Sequence, residues 1–261
     1  MSARRLLLSE LRNVARSRWL LVYGLLLLGL TDLLFRFGGS GPRVVLSLTN
    51  VVLALVPLVG LVLGTMHIYQ AREFIELMLA QPIGRRTLFG SLYGGLTLPL
   101  AATYALGVGL PLAWHGGFSG AAAAGIILLG AGVALTFVFT AIAFAIALHI
   151  QERAAGLGAA IITWLLTTVV YDGLVLLGVV VLSDWPVEMP ALIATMLNPV
   201  DLGRVLLLLQ FDISALAGYT GAVFERFFHG GTAMLVASAA LLLWIVVPLG
   251  IGLRRFERRD W

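Results

Sequence analysis

Residues 72–91, REFIELMLAQPIGRRTLFGS, form a short stretch that is charged at both ends and broken by a proline. The stretch lies between two long apolar runs, at about residues 44–69 and 89–113. A membrane-spanning helix needs roughly 20 apolar residues, so each of these runs is long enough to cross a bilayer. The quoted stretch is therefore predicted to connect two spans.

A short amphipathic helix is predicted inside this connection, over about residues 71–84. Glu73 and Glu76 are three positions apart, so a helix places both carboxylates on one face. Pro82 ends the helix, because the residue before a proline disfavours helical backbone angles. The remaining surface is mostly apolar: Phe74, Ile75, Leu77, Met78 and Leu79. Such a helix, lying parallel to the membrane, either docks a soluble partner or rests at the interface without one.

The composition extends this pattern to the whole chain. Of the 261 residues, 60% are hydrophobic and 11% are charged, against about 25% charged in a soluble domain. The chain has no cysteine, which excludes disulfides and thiolate metal sites. An all-α integral membrane protein with six transmembrane helices is predicted, and the first run is interpreted as an uncleaved anchor. The six runs are about 19–37, 44–69, 89–113, 121–148, 155–182 and 230–253.

The basic residues predict the orientation of these spans. All 17 are arginine; a cytoplasmic N-terminus puts 13 of them inside and 4 outside. This split is a strong positive-inside signal and predicts a multi-pass membrane protein with both termini cytoplasmic. Arg85 and Arg86 are then expected to hold the start of the third span at the inner surface. Because the arginines cluster beside apolar runs, the high isoelectric point does not indicate a nucleic-acid partner.

The segment before the first span is also amphipathic. Within residues 1–18, Leu7, Leu11 and Val14 fall on one helical face, and arginines occupy the others. This segment is either a helix in the inner interface or a plain positive-inside anchor. Residues 19–261 are predicted to form one domain of six spans.

Three charged residues fall within the spans. Asp32 and Arg36 are spaced i, i+4 near the outer end of the first span, and this spacing predicts an ion pair. Asp172 lies well inside the fifth span, where an ionised side chain costs about 2.5–3.5 kcal/mol. Asp172 is predicted either to form a structural hydrogen bond, to Tyr171, Thr168 or a neighbouring span, or to act in a gate or subunit contact.

A long outer loop, residues 183–229, is predicted before the last span. It carries 5 acids and 2 bases, together with apolar runs too short to cross the membrane, which are typical of re-entrant or interfacial helices. In its NPVDLGR motif, Asn198 caps a helix on the outer side, and Asp201 pairs with Arg204. An outward, partner-facing surface is predicted at Asn198, Asp201, Arg204 and Glu225, and residues 212–228 are expected to contact a partner outside the membrane.

Catalytic and metal-binding residues are not predicted. The spans lack a Ser/His pair and facing carboxylates, and the chain has no phosphate-binding loop of the Walker type. If the protein uses ATP and magnesium, another chain binds them. Methionine and histidine side chains, which can bind copper, occur only at isolated positions. They are not spaced as ligand pairs, so no metal site is expected. These positions are Met66, His67, Met189, Met196 and His229.

The layout as a whole resembles the ABC-2 type permease family. QPIGRRTLFGS is similar to a family pattern at Pro82, Gly84, Arg85, Leu88 and Gly90; the sequence departs from the family at Ser91 and at 74–75. The resemblance implies a homodimer that binds two copies of a cytoplasmic ATPase subunit and contacts lipid. It also implies that the helix between spans two and three contacts the ATPase, through Glu73, Phe74, Glu76, Leu77, Pro82, Arg85 and Arg86.

One branch of this family is a closer match. The segments RSRWLL at 16–21, PIGRRTLFG at 82–90, YDGLVLL at 171–177 and LNPVDLGR at 197–204 resemble, in order and spacing, the membrane subunit of the complex that matures nitrous oxide reductase. The resemblance implies a periplasmic β-helical partner and a role in assembling a copper–sulfur cofactor. The alternative is a generic exporter of lipid, glycan or drug. The acidic outer loop favours the first interpretation.

Overall fold

The computed structural model describes residues 3–38, 41–115, 122–181, 188–208 and 231–259, and all regular secondary structure in these residues is helical. One π-helical turn, Leu166–Val170, joins α7 to α8 without a break. The helices are α1 (Ala3–Ala15), α2 (Arg18–Phe37), α3 (Gly41–Gln70), α4 (Arg72–Leu79), α5 (Arg85–Trp114), α6 (Ala122–His149), α7 (Arg153–Leu165), α8 (Tyr171–Val181), α9 (Glu188–Leu197), α10 (Pro199–Leu208) and α11 (Gly231–Arg258).

Six of the described helical segments are long and apolar enough to cross a membrane, which confirms the predicted fold class. These spans are α2, α3, α5, α6, the continuous α7–α8 segment and α11. Prolines lie inside three of them, at Pro57, Pro99, Pro111 and Pro248. Spanning helices tolerate proline because neighbouring groups satisfy the backbone atoms that the proline frees.

The centre of the bundle is the pair α3 and α6, which pack closely through glycine. A Cβ added to Gly60 would lie 3.2 Å from Phe139 Cβ, and one added to Gly64 would lie 2.6 Å from Ala143 Cβ. Small residues four apart let two helices approach in this way, and dispersion then holds them together. The Gly60–Gly64 pair therefore serves packing within the chain.

Buried hydroxyl groups in this core bind helix carbonyls of their own chain. Thr136 donates to Gly132 O at 2.8 Å, and Thr140 donates to Thr136 O at 2.6 Å. Thr49 likewise donates to Val45 O at 2.9 Å. Bonds of this i−4 type let threonine occupy a spanning helix without leaving its oxygen unpaired.

We call the end of the bundle formed by α1, α4, residues 149–153 and residues 254–259 the arginine-rich end. Side chains join its parts, because Tyr69 donates to Ile150 O at 2.9 Å and Arg259 donates to Leu148 O at 3.3 Å. The helix α1 packs on α5 here, where a Cβ added to Gly95 would lie 2.5 Å from Glu10 Cβ. The other end of the bundle is called the far end.

The helices α9 and α10 form a hairpin, called the re-entrant hairpin, that enters the bundle from the far end. A Cβ added to Gly203 in α10 would lie 3.1 Å from Leu135 and 3.2 Å from Leu53, both near the middle of their spans. At the tip, Trp244 Nε1 of α11 donates to Met196 O at 3.1 Å. The α10 helix therefore begins near mid-depth, and the expectation of a helix start at the outer side is wrong. Its apolar residues are buried because they fill the space between α3, α6 and α11.

Candidate functional site

The α4 helix presents a charged face at the arginine-rich end. Glu73 and Glu76 are both exposed, and the side chain of Leu77 beside them is 66% exposed. Ile75 is fully buried and Phe74 packs on the core, so apolar side chains on the other face hold the helix in place. The helix ends at Leu79, three residues before Pro82, which is exposed.

The start of α4 is tied to the connection between α6 and α7. Arg72 Nη2 donates to Gln151 O at 2.5 Å, and its guanidinium lies 4.7 Å from the centre of the Tyr69 ring. The Tyr69 hydroxyl in turn binds the neighbouring carbonyl of Ile150. A displacement of α4 would therefore pull on the segment that leads into the fifth span.

The start of α5, which follows α4 in the chain, is bonded to the C-terminal end of α11. Arg86 Nε lies 2.7 Å from Glu257 Oε1, and Arg85 donates to the main-chain oxygens of Glu257 and Arg259. The sequence predicted that both arginines face the ATPase or the inner surface. In the structure both arginines are bonded within the chain, and the Arg86 side chain remains 80% exposed. Arg72 therefore links α4 to the segment before the fifth span, whereas Arg85 and Arg86 link the start of α5 to the end of α11.

A second group of charged side chains lies deep in the bundle, between α8 and the re-entrant hairpin. Arg204 Nη2 lies 2.8 Å from Asp172 Oδ2, and Arg204 Nη1 lies 3.1 Å from Asp201 Oδ1. We call these three residues the Asp–Arg–Asp cluster. The guanidinium has the fork geometry to bind two carboxylates at once, which a lysine lacks. Of the partners predicted for Asp172, the Tyr171 hydroxyl donates to Ala194 O instead and Thr168 Oγ1 has no hydrogen-bond partner. The ion-pair partner of Asp172 is Arg204, on the neighbouring helix α10.

Asn198 joins the tip of the hairpin to the π-helical turn. Its Oδ1 accepts a hydrogen bond from Val200 N at 3.1 Å, which is the predicted helix cap. Its Nδ2 donates to Thr167 O at 2.8 Å. A π-helical turn interrupts the i−4 hydrogen-bond pattern, so a side-chain donor can bind a carbonyl there. The hairpin is thus attached to the fifth span at three places: by Asn198, by Arg204 and by the Tyr171 hydroxyl, which donates to Ala194 O of α9 at 2.6 Å.

Two residues predicted to face an outer partner are instead inside the chain. Asn198 is 1% exposed and Asp201 is 2% exposed, because both are used by the hairpin and the fifth span. The Arg204 side chain is 29% exposed. Glu225 and the predicted contact segment 212–228 lie outside the described residues.

The i, i+4 pair in the first span is present and has two further neighbours. Arg36 Nε lies 2.8 Å from Asp32 Oδ2, and His115 Nε2 lies 2.8 Å from Asp32 Oδ1. Trp114 Nε1 also donates to Asp32 at 3.4 Å. These contacts join the far ends of α2 and α5, so Asp32 has a structural role.

Several contacting residues were not predicted from the sequence. Glu257 lies in a C-terminal segment that is rich in arginine, and its ionic partner is 171 positions away.

The described residues contain no group of three or more His, Asp or Glu side chains arranged to hold a metal ion. His67 is close to one carboxylate, with Nε2 at 4.0 Å from Glu10 Oε2.

Comparison with known proteins identifies the family. Residues 5–261 match the family described as "ABC-2 family transporter protein". Two relatives, each called "Probable ABC transporter permease protein NosY", are both 30% identical to this chain; they come from Pseudomonas aeruginosa and Stutzerimonas stutzeri. In both cases, the aligned part covers 96% of this chain and 96% of the relative. The chain belongs to the ABC-2 transporter family, as its sequence resemblance implied, and is a membrane-spanning permease subunit of an ABC transporter.

Proposed function

We propose that this chain couples a separate cytoplasmic ATPase to movement of its own spans. The observation that carries this proposal is the charged face of α4, where Glu73 and Glu76 are exposed while the opposite side of the helix is anchored. Family membership implies an ATPase subunit. The proposed assembly has two copies of this chain and two of the ATPase, which binds ATP and magnesium. The arginine-rich end and both termini are cytoplasmic in this arrangement.

The contacts around α4 give the coupling a physical route. Arg72 leads to the segment before the fifth span, and Arg85 and Arg86 lead to the end of the last span. The fifth span is in turn bonded to the re-entrant hairpin at the far end through Arg204. Motion imposed on α4 and on the start of α5, which follows it in the chain, would thus reach both spans that flank residues 183–229.

The second copy of the chain is supported by the uncovered side of the fifth span. Asp172 lies deep in this span, yet its side chain is 40% exposed, and most of the surrounding helix surface is also uncovered. A carboxylate facing hydrocarbon is costly, so such residues normally face protein or a polar pathway. A second copy of the chain that packs over Asp172 removes this cost. Lipid contacts the apolar faces of the spans that remain uncovered.

The cargo-level proposal is that the complex serves assembly of the copper–sulfur cofactor of nitrous oxide reductase together with a periplasmic β-helical protein. The support is the resemblance along the whole chain and the shared name of the two relatives. The competing function is export of a lipid, glycan or drug. The apolar surface between the spans is also suited to this function.

Charge reversal at Glu73 and Glu76 tests the coupling. We expect Glu73→Lys with Glu76→Lys to lower ATPase retention in a pull-down at least about tenfold, because charges at an interface rim set association and repel when reversed. Membrane insertion should be unchanged, since neither side chain packs inside the chain. The matched control is Glu152→Lys, a reversal at another exposed acid of the arginine-rich end. Equal retention in the double variant and the control would contradict the coupling role.

The cargo is tested separately. In cells lacking this chain, we expect nitrous oxide reductase to accumulate without its full copper content, and the intact chain but not the double α4 variant to restore it. The measurement is copper per reductase by elemental analysis, with the amount of reductase protein as the control. Full copper loading without the chain would contradict this role and favour the exporter.

A further inference from the structure

A polar cavity of about 280 Å³ lies at the arginine-rich end, between α1, the start of α2, α3 and α5. Glu10, Asn13, Ser17, His67 and Gln70 contribute polar groups to its wall. Within this described wall, Glu10 is the only acidic side chain, and no arginine lines it. The cavity wall therefore offers hydrogen-bond acceptors and one carboxyl group but no fixed cation.

One buried nitrogen in this wall lacks a hydrogen-bond partner, and a mostly buried carboxyl group lies near it. His67 Nε2 is buried and makes no hydrogen bond. It lies 4.0 Å from Glu10 Oε2, beyond the range of a direct N–H···O bond. Glu10 is 8% exposed, and burial raises the pKa of its carboxyl group. A cationic donor between these two atoms would satisfy both and offset the cost of burying the carboxylate.

An apolar groove of about 380 Å³ adjoins this cavity along the outside of α2 and α5. Leu20 lines both the cavity and the groove, which then continues past Gly24, Leu28 and Leu106. Trp19, at the rim of the cavity, has a 65% exposed side chain, and tryptophan at such a place is typical of the membrane interface. The polar cavity thus opens where a lipid headgroup would lie, and the groove runs towards the acyl chains.

We propose that this cavity binds the primary ammonium headgroup of a phospholipid of the phosphatidylethanolamine class, with an acyl chain in the adjoining groove. The ammonium group has three N–H donors, which suit Glu10, His67 Nε2 and one of the neutral side-chain oxygens. Arg16 and Arg18 are exposed on either side of Ser17 and are suited to the lipid phosphate. A trimethylammonium headgroup offers no N–H donor, so phosphatidylcholine meets these requirements poorly.

The lipid holds α1 against α2, α3 and α5, because its headgroup contacts side chains from α1 and α3 and its chain lies between α2 and α5. This binding site does not depend on the identity of the cargo. It is also separate from the charged face of α4, so a failed lipid test leaves the coupling proposal intact.

The test uses the full-length chain, delipidated in detergent, and native mass spectrometry with three added ligands. These are phosphatidylethanolamine, phosphatidylcholine with the same acyl chains, and soluble glycerophosphoethanolamine. We expect phosphatidylethanolamine to bind about tenfold more tightly than phosphatidylcholine, as expected for hydrogen bonds to a charged group. The headgroup without chains should bind more weakly still.

Glu10→Gln should lower the affinity for phosphatidylethanolamine to that for phosphatidylcholine, whereas Glu152→Gln, at an exposed acid, should keep the preference. Equal affinity of the wild-type chain for the two lipids would overturn the proposal without requiring any variant. A preference that survives in Glu10→Gln would also overturn it. So would binding of glycerophosphoethanolamine as tight as that of the lipid, because the ligand would then be a soluble amine.

Discussion

An Arg204→Ala variant is expected to lose about 3 kcal/mol of folding stability, because it leaves the buried carboxylate of Asp201 without its cationic partner. Arg204 is the only described cation in contact with Asp172 and Asp201, and Asp201 is 2% exposed. Because Asp201 is buried, water can replace the guanidinium only incompletely. The re-entrant hairpin would lose one of its three polar attachments to the fifth span.

The measurement is the free energy of unfolding in mixed micelles, and the matched control is Arg36→Ala. Arg36 also pairs with an aspartate at 2.8 Å, but its side chain is 65% exposed, so its loss should cost about 1 kcal/mol or less. Adding Asp201→Asn to Arg204→Ala should recover part of the lost stability, since the amide carries no charge. Equal stability of the Arg204 and Arg36 variants would contradict the structural importance of the cluster.

Arg204→Lys separates charge from geometry in the same cluster. Lysine keeps the positive charge but lacks a planar fork, so it cannot reproduce both contacts made by Nη1 and Nη2. We therefore expect a stability between that of the unchanged chain and that of Arg204→Ala. If the ATPase rate or cargo loading falls further than stability does, the cluster also takes part in transmitting motion to the far end.

The spans could be predicted because bilayer thickness dictates their length and composition. Their ends were less predictable: the third span begins at Arg85 rather than at about residue 89, since a helix continues through polar residues that leave the hydrocarbon. The short helix α4 was predicted from local features: the three-residue spacing of Glu73 and Glu76, and the backbone restriction that Pro82 imposes. Local rules also gave the Asn198 cap and the Asp32–Arg36 pair.

The contacts that sequence reasoning missed join residues far apart in the chain. Asp172 was expected to pair, because charge in a span is costly, but neither spacing nor periodicity pointed to Arg204. For the outer loop, the sequence predicted re-entrant or interfacial helices but did not distinguish between the two. A short apolar helix suits the membrane surface and the bundle interior equally well, and only packing beside Leu53 and Leu135 distinguishes the two positions. For the same reason, the burial of Asn198 was not foreseen.

Gly132→Ala is expected to destabilise the chain by about 3 kcal/mol through overpacking and a displaced hydrogen bond. A Cβ at position 132 would overlap the ring of Tyr104, which is fully buried on α5. The ring cannot move freely, because its hydroxyl donates to Leu128 O at 2.8 Å and its surroundings are packed. The expected result is a lower free energy of unfolding and a smaller folded fraction in the membrane.

Gly130→Ala is the matched control, on the same helix and two residues away. An added Cβ there meets no other group within 4 Å, so this change should be neutral or stabilise the helix by up to about 1 kcal/mol. The double variant Gly132→Ala with Tyr104→Leu should be less destabilised than the sum of the two single variants, because the smaller side chain makes room for the methyl group. If the two glycine variants unfolded alike, or if the costs at 104 and 132 simply added, the close approach of α5 and α6 at Gly132 would not limit stability.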